Sequence, residues 1–246
     1  MVRFALSEVP EWLGKRIYAS RRAHKLTSLV ASMIWRDDSW QWRRIATGPA
    51  KGLWMQVQPR TQKFQVAGVY EPAVARTLDE QPRGTVWDVG AHTGYFVLVA
   101  LAAGHKVVAV EPDADNAARI HETLARNGLS ATVIEAAAGE REGTALLETS
   151  DKTSFNRISE CGTPVRLMTL DSLYSQDVSE PPTLVKIDVE GYEAEVLRGA
   201  RRLLQEARPT LLIELHPWAD RTTTLGELAN YVVSPIADDH VLAVPR

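Results

Sequence analysis

The stretch TVWDVGAHTG, residues 85–94, decides how the chain is read. Apolar Val86, Trp87 and Val89 bracket Asp88, and two glycines follow at a spacing of four, Gly90 and Gly94. The run YFVLVALAA (95–103) comes next, so an apolar strand passes through a glycine-bearing turn into a helix. That arrangement presents backbone N–H groups and a helix N-terminus to a ligand, and several ligand classes use it.

Downstream of this stretch, apolar strands alternate with amphipathic helices, the pattern of a parallel sheet covered on both faces. Strands are expected at 85–89, 106–111, 131–135, 184–188 and 210–215, with helices at 94–103, 114–127 and 192–206. An excursion at 141–180 carries two short strands (144–148 and 165–169) around a polar loop, SDKTSFNRISECGT. The tail pairs YVVS (231–234) with HVLAVP (240–245) as an antiparallel edge. Upstream, LWMQVQ (53–58) and KFQVAGV (63–69) alternate around a turn and read as a hairpin, followed by a short helix over 72–78. Residues 11–45 read as one or two helices, with a restart at Asp37-Asp38-Ser39.

A length of 246 residues suits one sizeable α/β domain plus an accessory segment. The expected division is an N-terminal helical basic arm at 1–50 and a ligand-binding domain at 51–246, with its core at 84–217. The arm carries nine Lys/Arg against four Asp/Glu, a net +5, which leaves −8 on residues 51–246 of a chain at −3. Such an arm suits an anionic partner, a membrane surface or a substrate. The simpler reading packs Trp12, Ile17, Leu26, Leu29, Val30 and Ile34 inward and leaves the basic side chains in water; a Trp-rich arm is also a candidate homodimer contact. The start lacks the apolar run of a secretory signal, and the longest apolar run, 95–103, is about half a membrane span. With the single cysteine, Cys161, these features point to the cytoplasm and to no transmembrane segment. Lys and Arg are not interleaved with aromatics as a nucleic-acid channel requires, so no nucleic-acid partner is expected.

In open α/β sheets the ligand lies beyond the carboxyl ends of the strands. Asp88, Glu111, Lys186, Asp188, Glu190, Glu214 and His216 all fall at those ends. The turn reads Asp88-x-Gly90-x-x-x-Gly94, not G-x-G-x-x-G. His92 stands where the second glycine would admit a pyrophosphate, so a ligand with a smaller anionic end is favoured, and the carboxylate of a methionine moiety meets that description. Glu111, twenty-one residues beyond Gly90, is placed to accept ribose hydroxyls and to repel a 2′-phosphate. NAD and S-adenosylmethionine remain, the missing glycine favouring the second; a plain capping role for Glu111 before Pro112 and Asp113 is the alternative to either.

DVGAHTGYF, VVAVEPD, AAAGE, TLDSL, LVKIDVEGYEAEVLRGA and PTLLIELH, in that order, resemble the FkbM family of S-adenosylmethionine-dependent methyltransferases, as does the upstream GVYEP. The resemblance spans about residues 68–217, and KIDVEGYE is its most specific block. It implies a Rossmann-like class I methyltransferase fold with a mostly parallel seven-stranded sheet and helices on both faces. It further implies methyl transfer to a hydroxyl of a small molecule such as a sugar or secondary metabolite. Carried over, Asp88, Gly90, Ala91 and Gly94 fall on the methionine-binding loop, Glu111 and Pro112 at the ribose, and Ala137 with Ala136 and Ala138 beside the adenine. Tyr70 and Glu71, just ahead of the first core strand, are expected near the cofactor, with capping an equal alternative for Glu71.

An alcohol is a poor nucleophile until its proton leaves, so a base is sought. Lys186 and Asp188 share one strand face, as do Glu214 and His216. A buried lysine needs a counter-charge, and Asp188 or Glu190 is nearest in sequence. If the two strands are neighbours, these groups converge. His216 or Asp188 is the expected base, with Lys186 and Glu190 as positioning groups. No zinc-like spacing is present and no metal is expected, although Asp188, Glu190, Glu214 and His216 offer suitable ligand atoms for a divalent ion. Asp171 reads as a helix start, and Ser154, Phe155 and Asn156 as a lid or a flexible linker. An NAD-dependent oxidoreductase and a non-catalytic S-adenosylmethionine-binding module are the competing readings.

Overall fold

The computed structural model describes residues 39–149, 156–176, 179–237 and 239–246. A seven-stranded sheet runs in the order β12-β13-β11-β10-β3-β4-β5. Its members are β3 (Thr85–Val89), β4 (Lys106–Glu111), β5 (Thr132–Glu135), β10 (Pro182–Ile187), β11 (Thr210–Glu214), β12 (Tyr231–Pro235) and β13 (His240–Pro245). Pairs from β5 through β11 are parallel, whereas β13 lies antiparallel to β11, and β12 antiparallel to β13. The chain leaves β3 toward β4 and β5, then returns to β10 on β3's other side, so the strand order reverses between β3 and β10. Ligands of open sheets lie beyond such a reversal.

Strand β3 is buried at every position because helices cover both its faces. Trp87 and Val89 point into one core with Val185, Ile187, Val196 and Leu203; Val86 points into the other with Leu98, Ala109 and Leu184. Helix α3 (Tyr95–Ala102) is apolar all round and buried from Tyr95 to Ala100, as a helix enclosed by its neighbours must be. Helix α4 (Ala114–Asn127) is two-faced instead. Its start is capped by Asp113, which accepts the Asn116 N–H at 2.9 Å, and its end by Gly128 in the left-handed region.

Three expectations need correction. The N-terminal helical arm does not extend to residue 45: β1 (Gln41–Arg44) is a strand paired antiparallel with β2 (Trp54–Val57). Tryptophan–arginine stacking holds this ribbon to α4. Arg126 lies 4.5 Å from the rings of both Trp42 and Trp54, and Arg119 lies 3.9 Å from that of Trp40. The remainder of the arm, including its suggested dimer contact, lies outside the described residues. The expected 53–58/63–69 hairpin does not form either, because Lys63–Ala67 is helix α1. Five residues are too few to separate a period of 2 from one of 3.6, and Gly68 (φ 75) closes the helix with its N–H on the Phe64 and Gln65 carbonyls. Third, the single helix at 192–206 is two, α6 (Glu193–Arg198) and α7 (Arg201–Glu206). At Gly199 a Cβ would stand 1.9 Å from the Gly139 carbonyl oxygen, so the chain bends there against that backbone.

Helix α2 (Pro72–Asp79) forms as expected. The excursion builds a second sheet, β6-β9-β7-β8, from Ala137–Ala138, Thr163–Met168, Gly143–Thr149 and Asn156–Ser159. Asp171 starts a helix, but not its own. Thr169 caps α5 (Leu170–Ser175), while the Asp171 carboxylate accepts the Arg202 and Leu203 N–H groups of α7 at 3.0 and 2.8 Å. Helix α8 (Arg221–Gly226) precedes the β12–β13 edge. Among the described residues no helix is long and apolar enough to cross a membrane.

Candidate active site

A cavity of about 640 Å³ opens beyond the carboxyl ends of β3, β4, β10 and β11, within the range of small-molecule sites. Tyr70, Glu71, Gly90, Ala91, Glu111, Pro112, Ala137, Lys186, Asp188, Glu190, Glu214 and His216 all border it. Asp88 and Gly94 do not, and each acts from behind the wall. Of the 154–156 lid candidates, Asn156 borders the cavity and donates to Asp113 Oδ2 at 3.1 Å; Ser154 and Phe155 lie outside the described residues.

On the β3–β4 side the wall is mostly backbone and small side chains. Gly90 (φ 84) and His92 (φ 49) turn the loop through the left-handed region, which His92 occupies at a cost. A Cβ on Gly90 would come within 1.8 Å of the Asp188 carbonyl oxygen, so glycine is required by the neighbouring strand end. Gly94 (φ 85) is the N-cap of α3 and rests on Ile120. The Glu111 carboxylate accepts the His92 N–H at 2.7 Å and the Asp113 N–H at 3.0 Å, tying loop to strand. Burial raises its pKa to about 7, although those bonds favour the charged form. Burial also lowers His92 to about 4, so its imidazole is neutral. Ala136, Ala137 and Ala138 leave a slot with no side chain beyond Cβ.

On the β10–β11 side the wall is charged. Strands β10 and β11 are neighbours, with Lys186 opposite Leu212, so the groups at their ends converge. Lys186 is buried, its Nζ 2.9 Å from Asp188 Oδ2 and 3.6 Å from Asp88 Oδ1. Asp188 is thus the expected counter-charge and Asp88 a second one that sequence spacing did not suggest. Burial pulls the lysine's pKa down, but these two carboxylates outweigh it and the net direction is up. Burial raises Asp88 to about 6; for Asp188 burial acts upward too, yet Lys186 brings the net shift below the usual carboxylate range.

His216 is gripped from both ring edges. Its Nδ1–H donates to Glu193, fully buried, at 2.9 Å; Nε2 lies 3.0 Å from Glu190, 3.6 Å from Glu214 and 3.8 Å from Asp188. Burial opposes the imidazolium, but Glu190 and Glu193 hold the proton and raise its pKa to about 11. Burial and Asp188 together raise Glu214 to about 9. Glu190 itself sits at φ 54, another strained position on the wall.

Sequence reasoning missed Glu193, His240 and Trp218. Glu193 lies within the KIDVEGYE block, where its spacing was visible. His240 faces Glu214 only through the β11–β13 register, which no local pattern announces. Trp218 borders the cavity while 55% exposed, with its ring 5.0 Å from that of His216.

The sequence profile of the methyltransferase FkbM domain matches residues 88–237. The chain is 27% identical over 155 residues to the hexuronic acid methyltransferase AglP of Haloferax volcanii, covering 61% of this chain and 64% of that protein. It is similar in fold to the crystal structure of methyltransferase FkbM from Methylobacillus flagellatus, with a TM-score of 0.50 and 18% identity. That match covers 90% of this chain and 59% of the other, so this chain spans under two thirds of either protein. A domain match over more than half of the sequence, on a sheet that reverses at β3 and β10, establishes that the chain belongs to the FkbM methyltransferase domain family.

Proposed function

We propose that this protein methylates a hydroxyl group of a small carbohydrate-like molecule, using S-adenosylmethionine. The observation that carries the reading is the meeting of two unlike walls at one seam. The Asp188 N–H donates to the Val89 carbonyl at 3.0 Å, so the turn that begins at Gly90 and the strand end that bears Asp188 are locked together.

The residues present fit the cofactor. Glu111 faces the cavity with lone pairs beyond the two it gives to backbone N–H groups, enough for ribose hydroxyls. The slot at Ala136–Ala138 admits a flat ring, and the loop from Gly90 to Gly94 leads into α3, an eight-residue helix whose N-terminal N–H groups suit a carboxylate. Pro112 and Tyr70 close the sides. When bound, S-adenosylmethionine supplies a methyl group already activated on a sulfonium. The protein's own part is to orient the acceptor oxygen and take its proton.

Asp188 is the proton acceptor in this reading. It borders the cavity, its Oδ2 accepts from Lys186 at 2.9 Å, and its Oδ1 lies 3.8 Å from His216 Nε2. Lys186 and Glu190 position it, while His216 sets the far limit of the acceptor pocket. Trp218 offers an exposed ring face of the kind that sugars stack upon, and the hexuronic acid methyltransferase among the relatives supports a sugar acid as acceptor.

Titration calorimetry with S-adenosylhomocysteine, followed by methyl release to a panel of hexuronic acids and neutral sugars, tests the proposal. Saturable binding of the homocysteine product and turnover on one of these acceptors is the expected result. Binding of NAD in its place would overturn it.

A further inference from the structure

We propose that Glu71, Glu214 and His240 form a binding site for one divalent transition-metal cation, manganese(II) or zinc(II), at the β11–β13 side of the cavity. The three side chains each present a ligand atom, and those atoms lie within 4.8 Å of one another. A cation of this class holds its ligands at about 2.0–2.2 Å, which separates neighbouring ligand atoms by roughly 3–4 Å. Three distant parts of the chain supply them. Glu71 precedes α2, while Glu214 and His240 face each other across the antiparallel β11–β13 pair.

An acidic cluster alone would not justify the assignment; His240 does. It is 5% exposed, and its Nδ1 lies 2.9 Å from Asp239 Oδ1, a carboxylate that accepts from Nδ1–H and turns Nε2 toward Glu214. That Nε2 has no hydrogen-bond partner, although it is buried and directed at Glu214 Oε2 from 3.6 Å. A buried ring nitrogen is thus left beyond hydrogen-bond reach of its nearest carboxyl oxygen, an arrangement costly to bury unless something binds that nitrogen. A carboxylate behind the distal ring nitrogen is the usual support of a metal-bound imidazole, fixing its tautomer and orientation.

Glu71 strengthens the case. It holds a left-handed backbone conformation (φ 43) that a glutamate adopts only at a cost, and that conformation brings its carboxylate to the same point. The Lys186 ammonium makes its ion pairs with Asp188 and Asp88 rather than with any of these three side chains. The neighbouring triad of Asp188, Glu214 and His216 meets the same distance criterion, but there His216 already has carboxylates at 2.9 and 3.0 Å on its two nitrogens. The site at His240 does not depend on the methyl-transfer reading.

The test uses the full chain, stripped with a chelator and titrated calorimetrically with manganese chloride or zinc chloride. One equivalent is expected to bind. His240→Ala should abolish saturable binding and Asp239→Asn, whose side chain is half exposed, should weaken it about 10–100-fold, with thermal melting confirming that both are folded. Pulsed electron spin resonance of the manganese-loaded wild type should detect the nitrogen of one coordinated imidazole, unchanged in His216→Ala. No saturable cation binding by the wild type, no imidazole nitrogen, wild-type affinity in folded His240→Ala, or loss of the nitrogen signal in His216→Ala would each overturn the assignment. The spin-resonance arm decides even if His240→Ala fails to fold. Binding of S-adenosylhomocysteine is read separately, so a failure there bears only on methyl transfer.

Discussion

The two walls of the cavity are built on opposite plans. The β3–β4 wall is backbone, alanines and one glutamate; the β10–β11 wall packs Lys186, Asp188, Glu190, Glu214 and His216 into one cluster, with His240 on β13 facing Glu214. The first wall recognises by close approach, which needs small residues at set positions. The second works by charge, which needs partners brought together from far along the chain. A wall with a single ionisable group tolerates loss of one contact, whereas a densely charged one leaves an orphan whenever a partner is removed.

The sharpest way to break this contrast is at Asp188. Asp188→Asn keeps the outline but removes the proposed proton acceptor, and a fall in turnover of about 10²–10⁴-fold is expected with S-adenosylhomocysteine affinity changed only modestly. Equal losses in both measurements would place Asp188 on the cofactor side of the divide. Next in size is Lys186→Met. It strands Asp88, fully buried, without its counter-charge, and a loss of about 3–5 kcal/mol is expected in urea unfolding. A neutral result would mean that Asp88 simply takes up a proton.

On the quieter wall the expected effects are smaller. Glu111 has its pKa raised to about 7 by burial, and ribose hydroxyls donating to it would favour the ionised form. Binding then releases a proton, so S-adenosylhomocysteine affinity should rise with pH up to about 7 and level off above, by at most about tenfold per pH unit. Glu111→Gln should flatten that profile; a profile unchanged in the variant would remove Glu111 from the site. Smallest of all is Arg126→Met, outside the cavity. It forfeits stacking on Trp42 and Trp54, and about 1 kcal/mol of stability in thermal unfolding is expected.

The same contrast explains what was legible in the sequence. Gly90 and Glu111 follow their strands at fixed spacings and could be read from local pattern, whereas the three alanines came only with the family resemblance. Lys186 with Asp188, and Glu214 with His216, were readable as same-face pairs. Their convergence needed β10 beside β11, which alternation of strands and helices suggests but does not prove. His240 was illegible because its place opposite Glu214 depends on a register between β11 and an edge strand twenty-six residues away. Trp42 misled for another reason, although Trp54 lies in a strand as expected. The four residues Gln41–Arg44 are too few to separate a helix stripe from a short ribbon, and the ribbon packs on α4 through Arg119 and Arg126.

The missing Cβ at Gly90 has a consequence for energetics. With the Asp188 carbonyl seated where a side chain would be, the Gly90 loop cannot shift toward β10 without moving the strand end that bears Asp188, nor the reverse. For the proposed pair of ligands, occupancy of one half would then be felt in the other, and thermodynamic reciprocity would make the effect symmetric: whatever factor a bound nucleoside adds to acceptor affinity, a bound acceptor adds to the nucleoside's.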